Sequence, residues 1–160
     1  MKDMRNNNIQ LTRSITAFFW LGFFVAISFM EAPLKFTAPG LSMAEGLSIG
    51  KIVFGALNCC ELAFLAIILI TCFLRKPARV EAYLIIALAI IMILETVWLL
   101  PALDLDADKI VGGQMVTGHA LHWCYVTLEV IKAPVLFFAG LKGVKSIIRP
   151  VNSNVIKTTT

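Results

Sequence analysis

A bundle of four membrane-crossing α-helices is what this sequence predicts, and three observations carry the prediction. Of 160 residues, 59% are hydrophobic and 15% charged, with a mean hydropathy of +0.85, well outside the balance of soluble domains, which are ~25% charged. The apolar residues gather into four runs, at 14–33, 52–74, 82–101 and 120–141, each long enough for the ~20 helical residues that a ~30 Å hydrocarbon core requires. The runs are also continuously apolar, whereas strands of a membrane barrel alternate over ~10 residues.

Residues 1–12 read as a solvated, basic tail. The apolar run that follows resembles a signal peptide in outline, but it is too long, and Glu31-Ala32-Pro33 is not a small-residue cleavage site; a retained first span is expected, ending at Pro33. The second span is followed by a tight turn holding Arg75, Lys76 and Arg79, and the third ends at Pro101. A loop carrying Asp104, Asp106 and Asp108 leads to the fourth span, and 146–160 form a second tail. One transmembrane domain is expected, with no low-complexity segment.

Ten of the fourteen basic residues lie before the first span, in the turn after the second, or after the fourth. Basic residues near span ends are retained in the cytoplasm, so both termini and the middle turn are expected there, in the inner (cytoplasmic) membrane of a cell. The net charge of +4 follows from this placement and calls for no nucleic acid. The four cysteines, Cys59, Cys60, Cys72 and Cys124, all fall inside spans, where thiols act as small hydrophobes. A weak repeat appears at an offset of 68, which lays Pro33, Gly50 and Glu61 on Pro101, Gly118 and Glu129. It implies two tandem helical hairpins related by an axis along the membrane normal.

Ionisable groups inside spans point to function, because a charge at bilayer centre costs at least ~2.5–3.5 kcal/mol. Each span has a glutamate, with Glu31 near the outer end of the first, Glu95 two turns below the outer end of the third, and Glu61 and Glu129 near mid-membrane. Helical periodicity aligns His122, Tyr125, Glu129 and Lys132 on the fourth span, Lys51, Asn58 and Glu61 on the second, and Trp20, Phe24, Ile27 and Glu31 on the first. These faces predict a polar funnel open to the outside above an apolar cytoplasmic half. Lys132 is the one deep base; Glu61 is its expected cross-helix partner, with Asn58 in the same cluster. A glutamate left without a lysine should then take up a proton or a cation. Trp20, Trp98 and Trp123 read as interfacial anchors, and Gly22, Gly50 and Gly55 as close-packing positions.

His119 and His122, spaced i, i+3 at the outer start of the fourth span, offer imidazoles to a metal or haem, and a bundle core is a usual place for such a site. No cofactor is otherwise predicted. There is no phosphate loop, nucleophile elbow or HExxH pattern, so an enzymatic role is not expected of this chain on motif grounds.

The stretch Ser28-Phe-Met-Glu-Ala-Pro-Leu-Lys-Phe-Thr-Ala-Pro39, with Gly50, Phe54 and Asn58 to Glu61, resembles the first half of small bacterial four-helix membrane proteins of unknown function. Leu99-Leu-Pro-Ala-Leu-Asp104 with His122, Tyr125, Glu129 and Lys132 is similar to their second half. More distantly, the chain resembles four-helix copper-resistance and haem-pathway membrane proteins. That likeness implies histidines that bind metal or haem, although the first span has no histidine. Three readings follow. The chain binds or moves a small polar or cationic solute, or protons, through Glu61, Glu129, Lys132, Asn58, Glu95, Glu31 and Tyr125. Or it is a membrane redox protein using His119 and His122. Or it is a non-catalytic accessory subunit, or an oligomer, in which the polar faces meet partner helices within the lipid bilayer.

Overall fold

A proline cannot donate to the carbonyl four residues back, and its ring crowds that carbonyl, so a helix must stop or adjust there. Pro33 and Pro101 adjust. A computed structural model of the chain describes the backbone of residues 2–114 and 120–157 and the side chains of 4–114 and 120–147. In it a π-helical turn, Ala26–Glu31, precedes Pro33, and a second, Glu95–Leu99, precedes Pro101. Each widens the helix just ahead of the ring, and the helix then continues with ordinary dihedrals. The first helix, α1, therefore runs Met4–Thr37 and the third, α3, runs Arg79–Val111, past the expected ends at 33 and 101. Asp104, Asp106 and Asp108 lie on the last turns of α3 rather than in a loop.

Between them, α2 spans Met43–Leu74. Its start is fixed by a capping box: the Glu45 amide donates to Ser42 Oγ at 3.2 Å and the Ser42 amide to Glu45 Oε2 at 2.8 Å, satisfying two otherwise orphaned N–H groups. Gly40, at φ +83°, makes the turn before it, a conformation that favours glycine. The fourth helix, α4, covers Ala120–Lys157. Both tails extend the helices they adjoin, because helical hydrogen bonding does not depend on apolarity. At the first end, Gln10 and Arg13, just ahead of the membrane run, are buried against the other helices and hold α1 in place there.

All four helices are long and apolar enough to cross a membrane, which marks a multi-pass membrane protein. They pack as a ring in which α1 lies against α2 and α4, and α3 against α2 and α4. The core is a column of Trp20, Phe24, Leu57, Ile68, Leu88, Met92 and Leu136. Large apolar side chains also point outward, with Phe73 90% exposed and Ile52 74%; a surface of that kind is at home in lipid and not in water.

The α1–α4 contact depends on two glycines, Gly140 and Gly143, that no sequence pattern singles out. A Cβ on Gly140 would lie 2.8 Å from the Phe18 ring, and one on Gly143 would collide with Ser14 Oγ. Small residues at such crossings let membrane helices approach closely. Gly140→Leu should therefore destabilise the detergent-extracted protein by ~1–3 kcal/mol through overpacking. Gly22→Leu should not, because nothing lies within 4 Å of the Cβ position there; thermal unfolding of the two variants checks both.

Candidate functional site

The buried stripe of α2 steps at helical spacing through Gly50, Leu57, Asn58, Glu61, Leu65 and Ile68, so an apolar-looking helix presents one carboxylate to the core. On α3 the stripe Ile85, Leu88, Met92 leads to Glu95 and Leu99, and Glu95 is the first residue of the π-helical turn ahead of Pro101. On α4 the corresponding face is Tyr125, Glu129, Lys132, Leu136. The three carboxylates converge on one ammonium. Lys132 Nζ donates to Glu95 Oε2 at 2.6 Å, Glu129 Oε1 at 2.9 Å and Glu61 Oε1 at 3.0 Å. Helix α1 completes the cage: Trp20 Nε1 donates to Glu61 Oε1 at 2.8 Å, and the face of Phe24 lies 5.4 Å from Nζ, within cation–π range.

Nothing in this cage is reached from outside. The Lys132 side chain is 0% exposed and the glutamates 1–2%. Leu99 and Tyr125, both buried, lie one turn outward of Glu95 and Glu129, with the Tyr125 ring edge-on to Phe54 at 5.7 Å. Three negative charges against one positive leave a formal −2 at the centre of an apolar bundle. All three N–H groups of the ammonium are used, yet Glu95 Oε1 and Glu129 Oε2 are buried with no hydrogen-bond partner among the described residues. One oxygen from each glutamate lies within 4.8 Å of the others, the one grouping of three or more metal-type ligands among the described residues. His122 is not part of it.

The remaining candidates fall in different places. Asn58 does not join the cage; its amide donates to Thr96 Oγ1 at 2.9 Å, tying α2 to α3. Glu31 faces Lys35, one turn further along α1, at 3.6 Å. Lys51 pairs with Asp108 at 2.7 Å on the exposed end of the bundle. His122 is exposed beside the Trp123 ring, off the buried face on which periodicity placed it, and His119 lies outside the described residues. Trp98 and Trp123 are exposed, as anchors would be, but Trp20 is fully buried. Its position on the same face as Phe24 was the signal that it belongs to the interior. The expected grading of acid depths is also replaced by a single level for Glu61, Glu95 and Glu129: α3 continues well past Pro101, so Glu95 is not near its end.

A second polar cluster, not anticipated from the sequence, closes the end that carries the termini. Arg13 Nη1 lies 3.1 Å from Glu81 Oε1. The same guanidinium donates through Nε to Thr71 Oγ1 at 3.0 Å and through Nη2 to the carbonyls of Thr71 and Arg75 at 2.9 and 2.7 Å. Gln10 Nε2 donates to Glu81 Oε1 at 2.7 Å. The signal was available: Gln10, Arg13, Ala17, Trp20 and Phe24 share one heptad-like stripe. Between the two polar clusters lies an unbroken apolar layer of Ala17, Leu65, Ile68, Ile85, Leu88, Leu136 and Ala139.

Fold and site together define a polytopic helical membrane protein with a buried, charge-unbalanced carboxylate–lysine centre. No family model, curated protein or solved structure matches the chain, so the functional reading rests on the chemistry of that centre.

Proposed function

We propose that the protein binds, and moves between the outer face and the bilayer centre, a small cationic solute or protons, with Glu61, Glu95, Glu129 and Lys132 as the binding centre. One observation carries this reading: three carboxyl groups share one ammonium at 0–2% exposure, a formal −2 were all three ionised. Uncompensated charge in a low-dielectric interior costs several kcal/mol per ion, so the centre is completed by positive charge, either protons or a cation. A merely structural ion pair would have needed one carboxylate, not three from three helices.

Orientation follows from the basic residues at the end carrying the termini, which the positive-inside rule assigns to the cytoplasm. On that side the apolar layer and the Arg13–Glu81 cluster stand between the centre and water. On the other side, among the described residues, the Asn58–Thr96 pair lies within the first turn outward of the centre, Leu99, Tyr125 and Phe54 lie over it, and the Glu31–Lys35 pair lies beyond. The described state is thus the closed one, and outward opening needs the outer halves of α1 and α3 to move. Both carry a π-helical turn and a proline at corresponding positions, Pro33 and Pro101, which supports two related hairpins hinged alike.

Protein reconstituted in vesicles with an entrapped pH-sensitive dye should show proton flux when a pH or cation gradient is imposed. Glu95→Gln and Glu129→Gln should each abolish it. Flux that survives both changes would leave the cluster a packing role only.

A further inference from the structure

Resting on that reading, we infer that the ligand is a primary organic ammonium ion and that Lys132 occupies its place as a tethered surrogate. The geometry around Nζ is that of an ammonium receptor. A primary ammonium has three N–H donors and a fourth, aliphatic direction; here three carboxylate oxygens from α2, α3 and α4 take one N–H each at 2.6–3.0 Å, the range of charge-assisted bonds. The Phe24 face at 5.4 Å supplies the soft attraction that organic cations gain from aromatic rings.

A hard metal ion asks for something else. Magnesium and calcium take six or more oxygens, commonly including waters and backbone carbonyls, whereas the groups beside the three carboxylates are the Phe24 ring, the Trp20 N–H and the Tyr125 side chain. A ligand ammonium instead substitutes for Lys132 like for like, and the carboxylate charge beyond one ammonium is met by protons in both states.

Two further atoms give it a place to arrive. Glu95 Oε1 and Glu129 Oε2 are buried and unpartnered, on side chains 1–2% exposed, and both belong to the cage. An incoming ammonium engages these oxygens, on α3 and α4, before it displaces Lys132 from the opposite ones. When the ligand leaves, the lysine returns, and the empty centre closes on its own side chain.

Equilibrium binding of radiolabelled n-propylammonium, which reproduces the lysine side chain beyond Cβ, tests this in nanodiscs. Wild-type protein should bind it saturably, with competition from other primary alkylammonium ions but not from tetramethylammonium, sodium or magnesium, and Glu95→Gln should remove binding. Lys132→Ala should bind at least about tenfold tighter, since a surrogate that fills the cage more than nine-tenths of the time weakens apparent affinity by that factor. Should Lys132→Ala not be recovered folded, the wild-type selectivity series decides alone. Binding of sodium or magnesium in place of amines, equal competition by tetramethylammonium, or an unchanged affinity in a folded Lys132→Ala protein overturns the inference while leaving a cation-binding centre intact. An absence of any cation binding together with an absence of proton flux would instead remove the reading on which it rests.

Discussion

Lys132→Met should lower the stability of the detergent-extracted protein by ~3–5 kcal/mol, the usual cost of stranding a buried partner, and Glu61→Gln added to it should restore part of the loss. The reason is the crowding of three carboxylates whose oxygens lie within 4.8 Å of one another. With the ammonium gone, whatever negative charge the group retains is left uncompensated in a site that water does not reach, and a glutamine substitution removes one ionisable member of the group. Glu95→Gln should restore at least as much as Glu61→Gln, because Glu95 makes the shortest bond to Nζ, 2.6 Å, and keeps no other hydrogen-bond partner among the described residues. Thermal unfolding of the singles and doubles forms a double-mutant cycle. Strictly additive losses would show that the residues are not coupled.

Arg13 carries the second large effect. Arg13→Met should cost a similar ~3–5 kcal/mol, since it strands Glu81 and leaves the carbonyls of Thr71 and Arg75 short of their donor. Arg13→Lys should recover little of it. A lysine brings the charge but not the planar fork, and Arg13 uses that fork to reach Thr71 Oγ1, two carbonyls and Glu81 at once. The exposed Arg5 provides the comparison: Arg5→Lys should leave the melting temperature unchanged. A full rescue by Arg13→Lys would mean that charge alone matters at this position.

The four spans were legible because a continuous apolar run of membrane length is hard to bury anywhere but in lipid when the chain is this short. Facing was legible too where polar residues recur at helical spacing, as Glu129 and Lys132 do on α4, and in the aromatic stripe of Trp20 and Phe24 on α1. Helix ends were not. A proline in sequence reads as a stop, whereas here a π-helical turn takes up the loss of the donor to the carbonyls of Phe29 and Val97, four residues ahead of the two prolines. That one ambiguity displaced Glu95, which the sequence places two turns below the outer end of its span and which lies in the central cage. Arg13 was missed for a different reason: a basic residue at the start of a span reads as a sign of orientation, and that reading overshadowed the stripe it shares with Ala17, Trp20 and Phe24. Asn58 does lie on the interior face, but its partner Thr96 is one residue beyond Glu95 on α3, a register that only the assembled bundle sets.

Infrared spectroscopy of the carboxyl groups in reconstituted membranes freed of added cations tests the charge balance of the centre most directly. With one ammonium for three carboxylates, wild-type protein at neutral pH should show the C=O stretch of a buried protonated carboxylic acid, slow to exchange in deuterated water, that is diminished in Glu95→Gln or Glu129→Gln. A spectrum in which all three glutamates are ionised, from protein that elemental analysis finds free of bound cations, would contradict the account.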